Sequence, residues 1–282
     1  MNEKEPRFSF NVNSMNGMLE TSYGEIHYQI DGNGFPVVFL HGYLESREIW
    51  NDFIPEFLSS FQTIRIDIPG HGKSTVNFGM LTTEDMATSI QQVLESLSIK
   101  SAAFVGHSMG GYAALAFADL FPDMVKGLVL LHSHPNADSQ GKIADRIADV
   151  ERVEMGLFPD IVNDSIPRLF SNDNVIRFSD SIEHSKSIAL KTPEIGVIAA
   201  LRGMAARKDR NHIIHNLAVP AIMIFGAKDN LISAEMANAI ALKHPKCQVL
   251  WLSESGHMGF IEEKHQTASA IMSFLTALLD RV

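Results

Sequence analysis

Ser108 lies in "VGHSMGG", residues 105–111, between glycines at 106 and 110. Glycine tolerates backbone conformations closed to other residues, so Gly-x-Ser-x-Gly marks a forced bend. A β-like run, Ala102 to Val105, precedes it, and a small-residue helix, Gly111 to Phe121, follows it. Strand, tight turn and helix together lift a serine hydroxyl above the strand's end. The N-terminus of the helix behind it offers positive dipole to a developing oxyanion. The chemistry this suits is attack of the serine on a carbonyl carbon.

A serine hydroxyl is a weak nucleophile unless a base takes its proton. Of twelve histidines, His257 in "SESGHMGF" is the best placed: it follows the last apolar strand and precedes the final helix. An acid must hold the imidazole in one tautomer. Asp229 in "IFGAKDN" ends the preceding strand and turn, with Glu254 as fallback and Asp209 as a more remote alternative. Backbone donors are expected from the amide of Met109, after the nucleophile, and that of Tyr43, in the loop after "PVVFLHGY". His41 and Gly42 would shape that loop, and His107 would pack beside the elbow. The substrate-contact candidates are His41, His107, His132, Phe158, Phe170, Met204 and Met258, with Leu157, Leu169 and Ile195 as further pocket-wall residues.

Two patterns imitate other chemistry. "GHGKS" at 70–74 resembles the end of a phosphate-binding loop, but the required first glycine falls at Asp67. "HSHP" puts His132 and His134 two apart, with no third ligand at a sensible spacing, so no metal is expected.

The elements that must position these residues alternate. "EIHYQIDGNG" closes a hairpin with the preceding "MLETSYG". "PVVFLHG", "FQTIRIDIPG", "SAAFVGHS", "KGLVLLHSHP", "VPAIMIFGAKD" and "CQVLWLSESGH" are short unbroken apolar runs, which fit strands buried on both faces of a parallel sheet. Helical patterns lie between them. "TTEDMATSIQQVLESLSI" opens with Thr82 and Asp85 at capping-box spacing and puts Met86, Ile90, Val93, Leu94 and Leu97 on one face. The fold class is therefore α/β, a mostly parallel sheet with helices on both faces. Residues 134–216 carry helix patterns and no convincing strand. They are expected to form a helical lid inserted into a core made of 1–133 and 217–282.

The chain has 282 residues, with 23 Lys+Arg against 33 Asp+Glu and a net charge of -10. That balance argues against nucleic-acid binding, which wants clustered positive charge. The single cysteine, Cys247, allows no internal disulfide and opens an apolar run, so it is expected to be structural. No signal-peptide pattern opens the chain and no apolar run could span a bilayer, so a cytoplasmic protein without membrane partners is expected. The oligomeric state is open, a homo-oligomer included.

On "HGYLES", "DIPGHGKS", "GHSMGG", "FGAKDN" and "SGHMGF", in this order, the chain resembles the α/β-hydrolase superfamily over essentially its whole length. Within it, the small lidded serine carboxylesterases and enol-lactone hydrolases are the most similar, the lid exit "LRGMAARKD" included. The resemblance implies a Ser108, Asp229, His257 triad, an oxyanion hole at Tyr43 and Met109, a small-molecule ester substrate and no cofactor. "HGYLES" departs from the glycine-rich oxyanion loop of one branch, and it lacks the proline that perhydrolase-like members carry there. A serine nucleophile speaks against epoxide hydrolase and dehalogenase chemistry. Lactone, thioester or carbon–carbon bond hydrolysis would suit the same triad, and a triad-bearing small-molecule receptor is the non-enzymatic alternative.

Overall fold

The computed structural model describes residues 14–280. Eight strands form one sheet: β1 (Ser14–Thr21), β2 (Gly24–Asp31), β3 (Phe35–Leu40), β4 (Phe61–Ile66), β5 (Ala102–His107), β6 (Val125–Leu131), β7 (Ala221–Gly226) and β8 (Gln248–Leu252). Their order across the sheet is β1-β2-β4-β3-β5-β6-β7-β8, with β1 and β2 antiparallel and the six strands from β4 to β8 mutually parallel. Apolar composition explains which strands lie centrally. Every residue of β5 and β7 is buried, so both faces of the sheet are covered there. In β2 the burial alternates, with Ile26, Tyr28 and Ile30 inward and Glu25 outward.

The helices are α1 (Thr83–Ser96), α2 (Met109–Leu120), α3 (Gln140–Glu154), α4 (Phe158–Ser165), α5 (Ser179–Ala189), α6 (Glu194–Ala205), α7 (Asn211–Asn216), α8 (Ala234–Lys243), α9 (Gly259–Glu262) and α10 (Lys264–Leu279). The start of α1 is fixed by the capping box read from the sequence: Thr82 Oγ1 accepts from the Asp85 amide at 3.1 Å, and Asp85 Oδ2 accepts from the Thr82 amide at 2.9 Å. Such a cap contributes about 1 kcal/mol. Met86, Ile90, Val93 and Leu94 are buried on one face of α1, which packs against α2. Helix α2 in turn lies on β3, β5 and β6, and α10 on β6 and β8. Between β6 and β7 the chain runs through α3 to α7 without a strand, and α3 packs on α6. The Leu81 amide, just before α1, donates to Ala199 in α6 at 3.0 Å, which ties this helical segment to the sheet's connections.

One sequence expectation shifts. The helix after the serine begins at Met109, two residues earlier than Gly111, because the turn is completed within Ser108 alone. Cys247 precedes β8 instead of opening it, and burial pushes its thiol up to about 12. No helix among the described residues is long and apolar enough to cross a membrane.

Candidate active site

Neighbouring strands β5, β6, β7 and β8 all run the same way, so the residues that follow them gather at one edge. Ser108 follows β5, His132 follows β6, Asp229 lies just beyond β7 and His257 just beyond β8. The topology therefore brings together residues separated by up to 149 positions in the chain (257 minus 108).

Ser108 has φ 49° and ψ -113°. A non-glycine residue in that region costs on the order of 1–3 kcal/mol and persists only where the surroundings over-determine it. Here they do. The Ser108 amide donates to the Leu131 carbonyl at 3.0 Å, and its own carbonyl accepts from Ser133 Oγ at 2.8 Å and from the Gly111 amide at 2.9 Å. The flanking glycines are needed for close approach. A Cβ on Gly106 would lie 2.5 Å from the Gly110 carbonyl oxygen, and one on Gly110 would collide with the Leu40 carbonyl of β3.

His257 is held at both ends. Its amide donates to the Leu169 carbonyl at 2.6 Å, and its Nδ1 meets Asp229 Oδ2 at 2.7 Å. The other Asp229 oxygen, Oδ1, accepts from the amides of Leu231 at 2.7 Å and Ile232 at 3.0 Å. Burial alone would push the Asp229 carboxyl up. Instead the imidazoles of His257 and His132 hold it well below the usual carboxylate range, so it is ionised. Its neighbour Lys228 turns away, pairing with Glu254 at 2.6 Å and Asp173 at 2.9 Å. Glu254 is thereby engaged elsewhere, and Asp209 bonds Asn211, so neither alternative acid meets His257.

The loop after β3 is built around two buried side chains. His41 Nδ1 donates to the Gly42 carbonyl at 2.8 Å, and its Nε2 accepts from the Ile68 amide at 2.9 Å. Burial lowers its pKa to about 4, so the ring is neutral. Glu45 Oε2 accepts from the Gly42 amide at 2.6 Å and meets His107 Nδ1 at 3.0 Å. Leu44 turns the loop at φ 61°. The amides of Tyr43 and Met109 have no protein acceptor among the described residues.

His41, His107 and His132, which the sequence offered as substrate contacts, are at most 1% exposed and hydrogen-bonded within the protein. Each supports a neighbouring loop through those bonds. His132 Nε2 accepts from the Gly259 amide at 3.1 Å, which puts its proton on Nδ1, 3.4 Å from Asp229 Oδ2. Phe158, Phe170, Met204 and Met258 are buried as well, whereas Leu157 and Ile195 are exposed. The partner of His132 is thus Asp229 and His257, with ligand-type atoms within 4.8 Å of one another, and not His134. The 2.7 Å contact inside that set has the length of a charge-assisted hydrogen bond. "GHGKS" is a structural turn: Asp67 accepts from the Arg47 amide at 2.7 Å and the Lys73 amide at 3.1 Å.

Three residues gave no signal in the sequence. Glu45 and Ser133 lie in "HGYLES" and "HSHP", but no spacing rule gives either a role. Glu262, at the end of α9, accepts from the amides of Ser171, Gly256 and Met258 and from Asn174 Nδ2. A carboxylate three residues after Gly259 carries no spacing rule that would have found it.

Comparison with known proteins bears on the fold. Residues 36–149 match the alpha/beta hydrolase fold family, a stretch that holds the loop after β3 and Ser108. A thermophilic esterase from Thermogutta terrifontis superposes with a TM-score of 0.87 at 29% identity, over 94% of this chain and 99% of that one. The enol-lactonase from Burkholderia xenovorans LB400 superposes at 0.85 with 22% identity, over 92% of this chain and all of its own, a likeness of fold. In sequence, a pimeloyl-[acyl-carrier protein] methyl ester esterase of Vibrio vulnificus is 24% identical over 89% of this chain and 98% of its own length.

Proposed function

The chain is a member of the α/β-hydrolase superfamily, and from that premise we propose that it is a serine hydrolase cleaving small to medium carboxylic esters through an acyl-enzyme on Ser108. The observation that carries the reading is the 2.7 Å His257–Asp229 bond at the same sheet edge as a serine in a strained elbow. With the His257 Nδ1 proton directed at Asp229, Nε2 is the nitrogen left to act as base. It takes the Ser108 proton as Oγ attacks the ester carbonyl. The tetrahedral oxyanion is held by the amides of Tyr43 and Met109, the latter at the N-terminus of α2. The imidazolium returns its proton to the leaving alcohol, and a water activated by the same nitrogen releases the acid. Asp229 stays ionised throughout and stabilises the imidazolium.

Residues 134–216 act in this reading as the lid over the site. The esterase relative supports an ester substrate. The apolar make-up of this segment, which includes Phe158 and Phe170, suits a small acyl or aryl group better than a charged one.

Hydrolysis of short-chain 4-nitrophenyl esters tests the reading. Ser108→Ala is expected to lower kcat by about 10⁴-fold or more. Undiminished turnover in that variant, or fluorophosphonate labelling at another residue, removes Ser108 as the nucleophile.

A further inference from the structure

His107 sits between the two loops that carry the reaction, and its ring chemistry is fixed by its neighbours. Its Nε2 lies 2.9 Å from the backbone carbonyl of His257. A carbonyl only accepts, so Nε2 carries a proton. Its Nδ1 lies 3.0 Å from Glu45 Oε2, and one proton must lie between those two atoms. The same Oε2 accepts from the Gly42 amide at 2.6 Å. Burial works against charge on either partner. Even so, the Glu45 carboxylate and the His257 carbonyl raise the His107 pKa, and the His107 imidazolium and the Gly42 amide lower that of Glu45. The proton therefore rests on His107 and the pair is ionic.

The surroundings close this pair off. His107 is 1% and Glu45 2% exposed. The rings of Trp50 and Phe260 stand edge-on to His107 at 6.3 and 5.0 Å, and the His257 ring is 5.2 Å away. An ion pair sealed in this way is costly to bury and stabilises little compared with apolar packing. Its effect lies in what it connects. Glu45 belongs to the loop that presents the Tyr43 amide, His107 is the residue before Ser108, and the His257 carbonyl belongs to the base.

We propose that the Glu45–His107 pair is a positioning device for the reaction, joining the oxyanion loop, the nucleophile elbow and the backbone of His257 through one shared proton and one shared carboxylate oxygen. The inference rests on the Ser108 reading above. It accounts for a buried charge that neither binds substrate nor faces solvent. It also predicts that glutamine cannot replace Glu45. A single oxygen serves both the Gly42 amide and His107. An amide oxygen there leaves the imidazolium without its counter-charge, and an amide nitrogen there opposes the Gly42 N–H.

The test combines spectroscopy with kinetics. In protein with isotopically labelled imidazole nitrogens, both ring nitrogens of His107 should be protonated at neutral pH, and Glu45→Gln should render the ring neutral. In that variant kcat per fluorophosphonate-titrated site should fall about 10- to 100-fold, with KM changed less than about threefold, because the groups misplaced act on the transition state. A purely structural role would instead lower the titratable fraction and leave kcat per site alone, which overturns the inference. So does a singly protonated His107 in the unsubstituted protein, a measurement that does not depend on the variant folding. Ser108-dependent hydrolysis that Glu45→Gln leaves within about twofold overturns the inference alone. Hydrolysis that survives Ser108→Ala overturns the reading and the inference with it.

Discussion

Two histidine–carboxylate pairs stand side by side behind Ser108. Asp229–His257 and Glu45–His107 have similar contacts, 2.7 and 3.0 Å, and similar burial, and their imidazole rings are 5.2 Å apart. They differ at the second ring nitrogen. In His107 it is tied to a backbone carbonyl, whereas His257 Nε2 has no hydrogen-bond partner among the described residues. A base needs a nitrogen with a vacant lone pair, and a clasp needs both nitrogens engaged. In the proposed reading a histidine and a carboxylate thus become a base or a clasp according to one backbone contact.

The comparison breaks first at Asp229. Asp229→Asn keeps the shape but offers an N–H where the imidazole also presents one, so the tautomer reverses. A fall in kcat of about 10⁴-fold is expected, with the fold retained by circular dichroism. A loss under about tenfold would mean that His257 does not need its carboxylate and that the two pairs are alike after all.

A third buried carboxylate, Glu262, sharpens the contrast, because it holds four N–H donors and no histidine. Glu262→Ala leaves those donors unmet and should cost about 3 kcal/mol in urea unfolding. A cost below about 1 kcal/mol would show that water replaces it freely.

The pH dependence separates the histidines by sign. Burial lowers His41 and His132 from 6.5 to about 4, and His71 from 6.5 to about 3. Between those values the unfolded chain binds protons that the folded chain refuses, so stability falls as pH falls below about 6.5. Asp229 and Glu45, whose folded pKa values are depressed, add a further loss below the ordinary carboxylate range. His107 is raised, so its contribution is complete below 6.5 and is lost at higher pH, as its proton leaves. Melting between pH 8 and 4 should show the acid-side decline, and His71→Gln should make it shallower. A flat profile would contradict the neutral state of these rings. The smallest effect is expected at Lys228→Met, since that exposed cation pairs with exposed acids in solvent; the melting temperature should hardly move.

The parts of the site legible in the sequence are those that follow strands. Ser108, Asp229 and His257 each come directly after a short apolar run, and a parallel sheet gathers such positions at one edge. The capping box before α1 was equally readable, because its two hydrogen bonds are local. The order of β4, β3 and β5 across the sheet is not encoded in any window, since it follows from long-range pairing. Glu45 was invisible for a related reason. Its partner is 62 positions away, and a glutamate in a loop looks like any solvated charge until the fold buries it. Residue type alone suggests substrate contact for His41, His107 and His132, whereas in the fold both ring nitrogens of His41 and His107 meet protein atoms, a pairing no local window encodes.

The segment 168–174 is stitched to the loops that carry Asp229 and His257. Leu169 receives the His257 amide, Phe170 and Arg168 receive Asn230, and Asn174 and Ser171 are moored to Glu262. Parting this seam would forfeit those hydrogen bonds and loosen the backbone that holds the His257 ring against Asp229, so the two stretches must stay or move as one body.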